Sequence, residues 1–266
     1  MDISALATVV EESAEAGATV AAERFRTDLR VERKGEKTDV VTAADRDAQR
    51  AVIDRITEDF PADTIYGEED GTDTEITDSG RTWVIDPIDG TNNYVRGNRR
   101  WATSVACLVD GEAVATANLL PAMDERYVAT PDGVFRNGER VTVSDRADPG
   151  LFQVVPTFWW GFDRREEYAA ATRAVVTNFA DLRRVGSAQA ALSMLAAGTV
   201  DGVITNVETN AWDTIAGAAM VEWAGGTVTD LDGEPWTYDA RGLVASNGHA
   251  HEAVREATKS IDAAIE

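Results

Sequence analysis

The sequence predicts an α+β fold in two halves, residues 1–148 and 149–266, on three observations. Two amphipathic helical segments open the chain, short strand-like runs bounded by turn dipeptides follow them, and strands alternate with helices after Asp148-Pro149-Gly150. With 266 residues, 44% of them hydrophobic, the chain is long enough to bury a sizeable core.

The first helix follows from Ile3, Leu6, Val10, Ala14, Ala21 and Phe25, which recur at near-helical spacing with acids such as Glu11, Glu12 and Glu15 between them. The polar stretch 30–39 interrupts it. A second helix opens at Thr42, whose spacing to Asp45 resembles a capping box, runs through Ala48, Val52 and Ile56, and stops before Pro61. Residues 64–66, 82–85, 103–109 and 113–119 then read as strands, and Asp110-Gly111, Pro131-Asp132-Gly133 and Asn137-Gly138 as turns, giving two helices on a largely antiparallel sheet. In the second half, strands at 152–155, 182–185 and 200–205 alternate with helices at 164–179, 188–197 and 214–223. Strands at 226–229 and 243–245 and a closing helix from His249 complete it.

Asp and Glu total 47 against 25 Lys and Arg, a formal net charge of -22, which repels nucleic acid and anionic membranes and excludes both as partners. The cations are almost all Arg, with Lys only at 34, 37 and 259, and acids such as Asp28, Glu58, Asp59 and Asp73 lie in surface-like segments. This pattern suggests adaptation to high salt, where the Debye length shrinks to about 3 Å and self-repulsion is screened. Cys107, the single cysteine, lies in an apolar strand pattern, so no intramolecular disulfide forms. No signal-like start and no long apolar stretch is present, and the expectation is a soluble, cytoplasmic protein. His249 and His251 are expected on the solvated surface of the last helix.

The central feature is Trp83-Val84-Ile85-Asp86-Pro87-Ile88-Asp89-Gly90-Thr91: an apolar strand that ends in two carboxylates, a Gly and a Thr. A sharp turn around Pro87 would aim Asp86, Asp89 and the Ile88 carbonyl at one point, and Mg²⁺ prefers such hard oxygen ligands. Gly90 and Thr91 offer backbone N–H groups at a helix start, an anion site. The same dipeptides also serve as ordinary turns and caps. Two further acidic segments favour chemistry: Gly67-Glu68-Glu69-Asp70 directly after a strand, and Ala211-Trp212-Asp213 directly before a helix.

These segments resemble the signatures of the inositol monophosphatase family, in the superfamily that contains fructose-1,6-bisphosphatase. The resemblance rests on Gly67-Glu68-Glu69, on the run from Asp86 through Asn92-Asn93-Tyr94, and on Trp212-Asp213-Thr214-Ile215-Ala216-Gly217. Thr38-Asp39-Val40-Val41-Thr42-Ala43-Ala44-Asp45, Phe135-Arg136-Asn137-Gly138, Gly186-Ser187-Ala188 and Glu222-Trp223-Ala224-Gly225-Gly226 extend it over nearly the whole chain, in the family's order. It implies a layered α-β-α-β-α sandwich, a homodimer, and a Mg²⁺-dependent phosphatase holding two or three ions per site. Glu68, Asp86 and the Ile88 carbonyl would hold one ion and Asp86, Asp89 and Asp213 a second. A third would use Glu68 and waters. Thr91, with Asp45 or Glu68, would orient and deprotonate the attacking water. For Asp45 the surrounding match favours this water-positioning role over a helix cap. The Lys34-Gly35-Glu36-Lys37 stretch matches a loop that closes over the metals in the family, or is a plain connector.

The implied substrate is a small phosphorylated polyol or sugar, inositol-1-phosphate or fructose-1,6-bisphosphate. Asp89, Gly90, Thr91, Gly186, Ser187 and Ala188 are its expected contacts. Where many inositol monophosphatases carry a Glu that meets inositol hydroxyls, this chain has Asn206, with Glu208 the nearest Glu. Asn206 is expected to bond a sugar hydroxyl, and Arg184, beside Arg183, to fork onto a second phosphate or to lie on the surface. Alternatives are a 3′-phosphoadenosine phosphatase of the same superfamily and a non-catalytic metal- or phosphate-binding protein. A haloacid dehalogenase-type site is disfavoured, because its aspartates are one residue apart whereas Asp86 and Asp89 enclose two.

Overall fold

The computed structural model of the chain describes residues 2–27, 31–33, 40–69, 71–72, 75–157 and 160–263, with backbone alone at 31–33 and 40–42. Lys34-Gly35-Glu36-Lys37, Thr38, Asp39 and Asp70 lie outside the described residues. Two compact units, Met1–Arg140 and Val141–Glu266, make up the chain, so the division falls ahead of the turn at Asp148-Pro149-Gly150.

In the first unit, helix α1 (Ile3–Arg24) is capped by Asp2, whose carboxylate accepts the Ser4 N–H at 3.1 Å. Strands β1 (Val31–Arg33) and β2 (Val40–Thr42) pair antiparallel and lead into α2 (Ala43–Asp59). Seven strands form one sheet in the order β3 (Thr64–Gly67), β4 (Arg81–Asp89), β5 (Ala102–Val109), β6 (Glu112–Leu120), β7 (Glu125–Thr130), β8 (Gly133–Arg136) and β9 (Glu139–Val141). Strands β3 and β4 run parallel, and from β4 to β8 each neighbour is antiparallel. A five-residue helix, α3 (Thr91–Val95), follows β4.

The two long helices lie on this sheet because their apolar stripes have nowhere else to go. Val10 and Ala14 of α1 and Val52 and Ile56 of α2 are buried with Trp83, Ile85, Val105 and Cys107 of the sheet, each large aliphatic side chain contributing about 1.5–3 kcal/mol. Cys107 is a strand residue, as expected. Burial pushes its thiol up to about 12, which leaves it without nucleophilic character at neutral pH.

The second unit carries β10 (Gln153–Pro156), α4 (Arg165–Asn178), β11 (Asp181–Leu182), α5 (Ala188–Ala196), β12 (Gly202–Glu208), α6 (Ala211–Trp223), β13 (Thr227–Thr229), β14 (Arg241–Ser246) and α7 (His251–Ala263). Its sheet has the order β11-β10-β12-β14-β13, with β10 parallel to both neighbours and β14 antiparallel to both. Helices α4 and α7 bury their apolar faces with Val154, Ile204 and Val244. The next residues along those strands, Val155, Val203 and Ala245, are buried too and point the other way by the two-residue period, so both sheet faces are covered.

Three local expectations change. The strand expected at 182–185 ends at Leu182, because the chain leaves the ladder for α5 through Gly186, whose φ is +83°. His249 lies in the turn before α7. His251 is half-buried, not solvated: its ring nitrogens stand 2.9 Å from the hydroxyls of Thr229 and Ser246. Among the described residues no helix is long and apolar enough to cross a membrane.

Candidate active site

Strand β4 delivers the first acids. In its pairing with β5, Asp86 lies opposite Ser104 and Asp89 opposite Ala102, so three steps on one strand match two on the other. Residues three apart on a regular strand face opposite ways; the one-residue bulge returns both carboxylates to one side. A bulge inside a continuous strand therefore replaces the sharp turn expected at Pro87. Its Pro87 carbonyl accepts the Thr103 hydroxyl at 2.8 Å. Asp86 is 1% and Asp89 4% exposed, and a carboxylate oxygen of one lies within 4.8 Å of one from the other. Two anions buried so close repel unless a cation or proton is shared, and hard oxygen donors fit a divalent metal.

Directly beyond, Gly90 takes φ +88°, a left-handed conformation that side chains resist, and starts α3. That turn carries the Thr91 hydroxyl to 3.3 Å from Oδ1 of Asp45 and 3.1 Å from the Ile88 carbonyl oxygen. Asp45 lies in the first turn of α2 and is fully buried, facing Thr91. Glu68 follows from strand register: Gly67 pairs with Ile85 and the Glu68 N–H donates to the Ile85 carbonyl at 3.2 Å, which sets Glu68 alongside Asp86.

Gln49 is a positioning residue the sequence reading missed. Its buried amide accepts the Glu69 N–H and donates to the Glu69 carbonyl, both at 2.9 Å, clamping the segment that carries Glu68. The signal was there: a polar residue one helical turn after Asp45, in a stripe otherwise made of Ala48 and Val52.

In the second unit, Asp213 sits in the first turn of α6, where Asn210 donates to its Oδ2 at 3.0 Å. Helix α6 is held against α5 closely enough that a Cβ on Gly217 would come within 2.5 Å of Leu192 Cβ, and Gln189 donates to the Trp212 carbonyl at 2.8 Å. Gly186 turns the chain into α5, Ser187 caps it by accepting the Ala190 N–H at 3.1 Å, and Ala188 is its first residue. Arg184 is half-buried, with Nη1 enclosed, while Arg183 pairs with Asp181.

Asn206 does not fill the role expected of it. It shares a sheet face with Gly202 and Ile204, the face under α4 and α7, and both ends of its amide are engaged there. The Trp160 indole donates to its oxygen at 2.7 Å, and its nitrogen donates to Glu167 at 2.7 Å and Asp262 at 2.8 Å. Arg164, the chief partner of Glu167, together with Asn206 holds that carboxylate below its ordinary range. Asn206 is a buried structural knot, and Glu208, at the exposed end of β12, is the open side chain of the strand.

A sequence profile of the inositol monophosphatase family matches residues 2–263. The chain belongs to that family. It is 35% identical over 232 residues to an inositol-1-monophosphatase of Rhizobium meliloti, covering 86% of this chain and 85% of that one. A fructose-1,6-bisphosphatase/inositol-1-monophosphatase of Thermotoga maritima is 36% identical over 230 residues, 84% of each chain. Among solved structures, a Thermotoga maritima IMPase superposes with a TM-score of 0.86 at 31% identity, covering 98% of this chain and 97% of that one. This inositol monophosphatase family member is a phosphoric monoester hydrolase with the family's fold, and its acids suit a divalent metal.

Proposed function

We propose that the enzyme is a Mg²⁺-dependent phosphatase of small phosphorylated polyols and sugars, active on inositol-1-phosphate, fructose-1,6-bisphosphate or both. The observation that carries this reading is the junction of β4 and α3. One bulge and one left-handed glycine gather the buried pair Asp86 and Asp89 beside the Thr91 hydroxyl and its Asp45 partner.

Glu68, Asp86 and the Ile88 carbonyl are proposed to hold one ion, and Asp86, Asp89 and Asp213 a second, with Glu68 available to a third. When bound, Mg²⁺ supplies Lewis acidity at the phosphoryl oxygens and lowers the pKa of a bound water. The protein's share is positioning and proton management. Thr91 has one hydroxyl proton, directed at Asp45 and Ile88, so its lone pairs face outward to accept from a water. Asp45, the partner of the Thr91 hydroxyl, or Glu68 is proposed to receive the proton that this water gives up. The Gly90 and Thr91 N–H groups and the Gly186-Ser187-Ala188 turn are proposed to meet phosphate and sugar, with Arg184 nearby. Charge spread over phosphoryl oxygens is stabilised by such positioning without a covalent intermediate.

Phosphate release with Mg²⁺ in high KCl, from inositol-1-phosphate, fructose-1,6-bisphosphate and 3′-phosphoadenosine 5′-phosphate, tests the reading. Turnover of either of the first two is expected, and activity on the nucleotide alone would replace it with the nucleotide phosphatase. A homodimer is the proposed assembly, to be read by light scattering.

A further inference from the structure

Many arginines described in this acidic chain sit against carboxylates, among them Arg24 on Asp47, Arg55 on Glu12 and Asp59, Arg81 on Asp63, Arg126 on Glu11 and Glu15, and Arg255 on Glu252. Arg26, Arg99 and Arg100 are built differently. They line one surface cavity of about 400 Å³ with Gly97, Asn98 and Met123. All three are exposed.

The side-chain contacts described for two of them run to main-chain oxygen. Arg26 donates to the Gly97 carbonyl from Nε at 3.1 Å and from Nη2 at 2.9 Å, and Arg99 Nε donates to the Ala122 carbonyl. The Arg26 guanidinium also lies over the Phe25 ring, 5.2 Å from its centroid. A carbonyl or a ring face orients a guanidinium without cancelling its charge, and N–H donors of its five are left for a further acceptor.

The loop beneath is braced as well. Asn93 donates to the Arg100 carbonyl at 2.6 Å, Asn98 donates to Asn93 at 3.1 Å, and the Arg100 N–H donates to Asn98 at 3.2 Å. Three like charges thus line one cup, two of them fixed by main-chain carbonyls, in a chain whose net charge is -22. Their mutual repulsion is relieved by an anion, and guanidinium forks match phosphate oxygens. Volumes of about 300–1,000 Å³ are those of small-molecule sites, and three cations suit more than one phosphate group.

We infer that this cavity, on the loop after α3, is a second binding site, for a multivalent anion of the di- or triphosphate class. It is distinct from the acids that precede α3. Nothing in the hydrolytic reading requires it.

The test is calorimetric titration of the Mg²⁺-loaded full chain with inorganic tripolyphosphate and, separately, with ATP, in the lowest KCl that keeps the protein folded. Wild type and Asp89→Asn are expected to bind alike. The double variant Arg99→Ala, Arg100→Ala is expected to bind at least about tenfold more weakly, with monoester turnover unchanged. If that variant does not fold, Arg100→Gln alone is expected to weaken binding. Equal binding of both probes assigns the site to the phosphate chain, and binding of ATP alone assigns it to a nucleotide. No binding by wild type, or binding lost in Asp89→Asn and kept in the arginine variants, overturns the proposal.

Discussion

The Thr91 hydroxyl donates to Oδ1 of Asp45 at 3.3 Å, joining the first turn of α3 to the first turn of α2 across 46 residues of sequence. If this pair orients and deprotonates the attacking water, Thr91→Val and Asp45→Asn should each lower kcat by about 10² or more. Thr91→Ser keeps the hydroxyl and should lower it far less. Steady-state kinetics with saturating Mg²⁺ would show the loss in kcat with KM little changed; full activity of Asp45→Asn would remove Asp45 from the reaction.

Asp86 and Asp89 are buried close together, so metal-free protein stores their repulsion. Asp89→Asn should abolish turnover, leave the metal-free fold at least as stable as wild type, and shrink the rise in Tm on adding Mg²⁺. For wild type that rise corresponds to about 2.7 kcal/mol at a hundredfold excess over Kd. Calorimetry with and without Mg²⁺ reads both effects.

Asn206 should matter to stability and not to substrate. Asn206→Ala leaves Trp160, Glu167 and Asp262 short of a partner, at a cost of about 1–3 kcal/mol for buried groups so orphaned. Urea unfolding should report that loss. Its kcat/KM for either ester should stay within about twofold of wild type, and a large rise in KM would return Asn206 to the substrate site.

His251 predicts a pH dependence. Burial pushes its imidazole below the ordinary value of 6.5, Arg255 adding to the depression and Glu252 opposing it, with the Thr229 and Ser246 hydroxyls at the ring nitrogens. The unfolded chain then takes up the proton more readily than the folded one. Stability from this group is therefore intact above about pH 6.5 and declines as pH falls through that value toward the depressed one. His251→Gln should flatten the change in Tm between about pH 7.5 and about pH 5.5; an unchanged profile would exclude His251 as its source.

A net charge of -22 with few Lys residues predicts salt dependence of the fold. Tm should drop on transfer from molar to dilute KCl, as screening of the acidic surface is withdrawn. Equal Tm in both would mark an ordinary acidic protein.

By itself the sequence determined most of the elements, the family and the class of reaction. Periodicity marks α1 and α2, turn dipeptides mark the strands of the first sheet, and Glu68, Asp86, Asp89, Thr91 and Asp213 stand in motifs dense enough to name the family, because local pattern and residue type are written in neighbouring letters. What only the tertiary structure decided is which way side chains face and whom they meet. The β4 bulge turns two acids to one side, sheet alternation sends Asn206 beneath α4 and α7, Gln49 finds Glu69, and three arginines gather around one cup. Each depends on registers and crossings between segments remote in the chain, and no local pattern encodes those.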